Sequence, residues 1–87
     1  MVTEDDLNYY YMVVETLWLG GTSPTIEQIR TRLCPTERDN SRVAEGLAEL
    51  IARQWLKVEQ IPIRVWDTES IFETWYVPIW DHLSGTQ

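Results

Sequence analysis

Cysteine and histidine are almost missing from this chain. One cysteine, Cys34, and one histidine, His82, stand in 87 residues. A single thiol cannot close an intrachain disulfide, and the two together cannot supply the ligand set of a Cys/His zinc site. Glycine is scarce as well, and Gly20-Gly21 is a turn signal rather than part of a phosphate-cradling loop. No apolar run approaches the ~18 residues that a membrane-spanning helix needs. Residues 1–6 are acidic and have neither the basic flank nor the apolar core of a secretory signal. Basic residues are half as common as acidic ones, seven against fourteen, and the formal net charge is -7. That sign repels nucleic acid unless the cations are gathered locally. His82 stands alone near the end, and Cys34 lies beside Pro35 without a neighbouring base, so Cys34 reads as a small buried residue. The expectation is a soluble, cytoplasmic protein with no catalytic site, no cofactor, no metal and no membrane partner.

What the chain does have is apolar and aromatic mass. Hydrophobic residues make up 44%, with five Trp, four Tyr and one Phe. So short a chain forms one domain over residues 1–87, and its interior is too small for all of these rings. Rings left at the surface mark an interface.

Periodicity divides the chain in two. A first helix is expected over 5–19, with Thr3 and Asp6 as a capping box and Leu7, Tyr10, Tyr11, Val14, Leu17 and Trp18 at helical spacing. Tyr9, Met12 and Val13 broaden that stripe beyond what one small core needs. A second helix is expected over 24–33, opened either by Ser23 with Pro24 or by Thr25 with Gln28, and buried through Ile26, Ile29 and Leu33. Pro35 breaks the pattern, and a third helix is expected over 37–54 with Val43, Leu47, Leu50 and Ile51 inward. Gly46 inside it costs roughly 1 kcal/mol against Ala, which close helix packing or close approach to a partner would explain. Beyond Gln54 the chain turns to β-branched and aromatic residues, expected to form a hairpin over 56–80 around a turn at 67–70, with a polar tail at 82–87. Pro62 belongs at an edge position or a bulge. Both faces of the second strand are apolar, which again points to a partner.

This order, three helices and then a hairpin, resembles the winged helix-turn-helix superfamily of bacterial and phage regulators. The resemblance rests on Thr25, Ile26, Ile29 and Leu33 in the second helix and on Val43, Leu47 and Leu50 in the third. Trp55-Leu56-Lys57-Val58 stands at the entry to the wing, with Trp55 where such proteins often have Gly. It implies an α+β fold, a three-helix winged helix-turn-helix with a C-terminal β-hairpin wing. It also implies a DNA-binding transcriptional regulator acting as a small dimer, although some members have become protein-binding modules.

Charge distribution keeps both functions open. Residues 30–57 carry +2, while 1–29 carry -5 and 58–87 carry -4. Arg38 and Arg42, four apart at the start of the third helix, are the first candidates for contact with double-stranded DNA, with Asn40 and Ser41 beside them. Arg30 and Arg32 from the second helix and Arg64 from the wing are candidates for the phosphates. Each arginine reads equally well as a solvated side chain paired with Glu37, Glu45 or Glu49. Glu45 and Glu49 oppose groove binding, and Asp67 and Glu69 sit at the expected tip of the wing. The alternative is an acidic winged-helix interaction module, an adaptor or decoy for a basic, nucleic-acid-binding protein. For the homodimer the candidate contacts are Tyr9, Met12, Val13, Trp75 and Trp80.

Overall fold

In the computed structural model, residues 2–65 and 70–79 are described, the side chains of 63–65 and 70 excepted. The chain runs α1 (Glu4–Leu19), α2 (Ile26–Arg32), a 3-10 turn (Pro35–Glu37), α3 (Asn40–Ala52), β1 (Leu56–Val65) and β2 (Ser70–Pro78). This is the expected architecture of three helices and an antiparallel hairpin. Trp66, the turn residues 67–69, Trp80 and the tail with His82 lie outside the described residues.

Each helix start has a side-chain acceptor. Thr3 and Asp6 form the reciprocal capping box, and Thr25 accepts from the Gln28 N–H. Ser23-Pro24 therefore precedes α2, which is shorter than the predicted 24–33. At the far end of α1, Gly20 is the cap and Gly21 takes the left-handed conformation (φ 79°) that turns the chain.

The third helix begins later than predicted. Pro35 opens a 3-10 turn closed by the Arg38 N–H on the Pro35 carbonyl, and the Asp39 carboxylate then caps the Arg42 N–H. Glu37 and Arg38 thus belong to the turn rather than to α3. A second correction concerns Cys34. It is exposed, because the link into the 3-10 turn runs over the surface.

The core is a single cluster. Leu7, Tyr10, Tyr11, Val13, Val14 and Leu17 of α1 meet Ile29 of α2 and Leu33 at its end, Val43, Leu47 and Leu50 of α3, and Leu56 of β1. Gly46 explains how closely α1 and α3 approach. A Cβ there would lie 2.3 Å from Tyr10 Cε2, so the fully buried Tyr10 ring occupies the space a side chain would need. Close packing within the chain is the use of this glycine.

Register explains the prolines of the hairpin. Val58 pairs with Tyr76 and Pro62 with Phe72. The Tyr76 N–H points away from β1, to the Pro24 carbonyl at 2.9 Å. By the alternation of an antiparallel ladder, Val58, Gln60 and Pro62 also direct their backbone polar groups outward. Pro62 therefore removes no ladder bond, and the register shifts between Pro62 and Arg64 as a bulge. Proline and bulge together blunt the free edge of β1 against strand pairing.

Candidate functional site

The predicted DNA contacts fall on α2, the 3-10 turn and the start of α3. There the backbone supplies donors at helix starts, and most of the arginines are already engaged within the chain. Arg42 lies between two carboxylates, with Nη2 donating to Asp6 at 2.6 Å and Nε to Glu37 at 2.9 Å. The same Glu37 oxygen accepts from the Tyr10 hydroxyl at 3.1 Å. Burial and this hydrogen bond push the Tyr10 phenol up to about 12. The Asp6 carboxyl is held below its ordinary value, chiefly by the Thr3 N–H and also by the Arg42 charge. The start of α3 is thus tied to the first turn of α1 by Thr3, Asp6, Arg42, Glu37 and Tyr10 in sequence.

Arg38 turns back onto α2. It donates to the carbonyls of Leu33 (2.8 Å) and Thr31 (3.2 Å), acceptors left over at that helix end. Arg30 donates to the Arg38 carbonyl at 3.2 Å. Arg30 and Arg38 share a shallow cleft with Glu27 and Thr31. At the other end of α3, Arg53 bonds Glu49 and Glu4 and lies over the Trp55 ring, 5.8 Å from its centroid. The Arg53 hydrogen bond holds the Glu4 carboxyl below its ordinary value. Lys57 pairs with Glu59 at 3.1 Å. The Arg32 side chain is exposed and makes no hydrogen bond or ion pair among the described residues. The Arg64 side chain lies outside them.

The exposed face of α3 has a different character. Ser41, Ala44, Glu45, Ala48, Glu49 and Ala52 face solvent there, with Asn40 beside them on the first turn. This stripe holds two carboxylates, of which Glu49 is paired with Arg53, and Arg42 on its flank is drawn back toward α1. Of the arginines expected at DNA, Arg30 and Arg38 are therefore held at the α2 end and Arg42 at the α1 seam.

The predicted dimer contacts are divided too. Met12 is 53% exposed, but Val13 is buried in the core at 7%. The Tyr9 hydroxyl accepts from the Cys34 N–H at 3.0 Å, an internal use. Tyr9, Met12, Val13 and Thr16 line a groove beside Arg32. Trp75 meets Trp18 edge to face across the other side of α1. Trp80 lies outside the described residues. Among the described residues no group of three or more His, Cys, Asp or Glu is placed to hold a metal ion, and no helix is long and apolar enough to cross a membrane.

The pairing of an arginine with Glu37 was among the readings of the sequence, but the Asp6–Arg42 and Glu4–Arg53 links were missed. Their partners lie 36 and 49 residues apart, and no local spacing rule links them. Compared with models of protein families, with curated proteins and with solved structures, the chain matches none. The winged-helix likeness is one of architecture.

Proposed function

We propose that this domain is an acidic protein-interaction module on a winged-helix-like frame, with the exposed face of α3 as its docking face for a basic protein. The observation that carries this reading is the stripe Ser41, Ala44, Glu45, Ala48, Glu49 and Ala52, which presents the Glu45 carboxylate, an Arg53-paired Glu49 and small side chains where a major-groove helix needs cations. Small side chains let a partner's backbone come close, and Glu45 supplies charge complementary to a basic surface. Groove binding through Arg42 would first have to release Asp6 and Glu37.

The test has two arms. Selection of the purified domain against a random duplex library should enrich no site. Cross-linking should capture a basic protein, and the double variant Glu45→Lys with Ala48→Lys should lose it. Enrichment of one duplex whose binding Arg42→Ala abolishes would overturn the reading.

DNA binding is the second reading. It draws on Asn40 and Ser41, exposed on the first turn of α3, and on the uncommitted Arg32. In that case the domain would act as a dimer on a palindromic site, joined through α1 at Met12 and Leu19, both exposed. Sedimentation of the purified chain at micromolar concentration tests the dimer independently of its ligand.

A further inference from the structure

The end of α1 and the middle of β2 build an aromatic cleft that faces away from the core. Trp18, 37% exposed, and the half-buried Trp75 stand nearly perpendicular, at 77°, with centroids 6.3 Å apart. Gly21, Thr22 and Ser23 complete the walls. The cleft measures about 230 Å³, below the ~300–1,000 Å³ of small-molecule sites and suited to one side chain.

Its electrostatics favour a cation. The Trp75 indole Nε1–H donates to Glu73 at 3.1 Å. A carboxylate accepting from the indole nitrogen makes the ring more electron-rich, which strengthens the attraction of its face for positive charge. Glu59 lies directly across the ladder from Trp75, and the nearby Lys57 is paired with Glu59. Among the described residues no cation lies over Trp18 or Trp75.

The molecule seats a guanidinium on an indole elsewhere. At Trp55 a guanidinium, that of Arg53, lies over an indole while Glu4 and Glu49 hold its nitrogens. At Trp75 the nearby carboxylate, Glu73, bonds the indole nitrogen instead and stands outside the lining of the cleft, so its charge acts through the ring. We infer that the Trp18–Trp75 cleft is a binding subsite for an arginine side chain of a protein partner. Planarity favours guanidinium over ammonium, since it stacks on a ring while its edge bonds a carboxylate. The inference rests on the basic-partner reading above and places a second contact on a different face of the domain.

The probe is Nα-acetylarginine amide, with the neutral isostere Nα-acetylcitrulline amide as control, followed through the indole Nε1–H signals of the labelled protein. Arginine amide should shift the signals of Trp18 and Trp75 saturably, and citrulline amide should not. Glu73→Gln, which keeps shape and removes charge, and Trp18→Leu should each weaken binding roughly fivefold. Equal shifts from both probes, or unchanged binding in both variants, would overturn the subsite. The Glu45→Lys, Ala48→Lys variant should bind the arginine probe normally. A failure of the α3 face therefore leaves this result intact, and a failure here leaves α3 untouched.

Discussion

Between α1 and α3 the two backbones are brought together by an absent side chain, that of Gly46, and are bridged along their flanks by Arg42 to Asp6 and Arg53 to Glu4. The hairpin is built the other way. Its strands are held by their own ladder; among the described residues Leu56 enters the core cluster, Val77 is buried and Tyr76 packs against the cluster, while Val58, Ile71 and Phe72 stay exposed. Packing that depends on one ring in one gap is intolerant of change, because interiors are close-packed. A ladder with solvated side chains tolerates substitution and leaves surface for a partner. Arg42 and Arg53 are the arginines that this seam takes up.

The sharpest way to break this contrast is Gly46→Val. The new side chain collides with Tyr10, and overpacking should cost about 3 kcal/mol by denaturant titration despite the gain in helix propensity. In a Tyr10→Leu background the loss should shrink, since the two sites share one space. An undiminished loss would show that the ring is not the obstacle.

Acid should act next, and on the seam. The folded-state carboxyls of Asp6 and Glu4 are lowered from ordinary values of 3.8 and 4.5. A depressed pKa contributes stability that is present above the unfolded value and is lost as pH falls through the folded one. The midpoint of chemical unfolding should therefore begin to drop below about pH 5. Asp6→Asn with Glu4→Gln should lower the plateau near neutrality and flatten the acid limb. An acid limb of the same steepness in this variant would assign the loss to other carboxylates.

The smallest effect belongs to the hairpin. Phe72→Ser removes a ring that is 52% exposed and should change stability by less than about 0.5 kcal/mol, as surface substitutions do. A loss comparable to that of Gly46→Val would mean that the hairpin is as tightly packed as the seam.

Much of the fold was legible residue by residue. Thr3 with Asp6 and Thr25 with Gln28 mark helix starts because a cap is a local bond. Leu47 and Leu50 announce a buried stripe, and Pro62 announces an edge or bulge, because period and proline chemistry are written in the chain itself. The start of α3 was misjudged because the turn set by Pro35 takes up Glu37 and Arg38, and the Asp39 carboxylate then caps the helix. Val13 was placed at an interface because a helix period cannot say how far the neighbouring elements wrap around it. The candidate site was less legible. Glu45 and Glu49 were visible as objections to groove binding, but the engagement of Arg42 with Asp6 was not.

The sequence alone determined the order of elements, the composition of the core and the acidic balance, since these follow from periodicity, capping and counting. Tertiary structure decided which charges are spent inside the molecule and which remain for others. That division depends on distances between residues remote in the chain, such as Asp6 and Arg42, and on which faces the packing covers. The same packing set Trp75 against Trp18 while leaving Glu73 at its indole nitrogen. Neither the Asp6–Arg42 bond nor the Trp18–Trp75 contact has a local signature, because each arises only when separate elements are brought side by side.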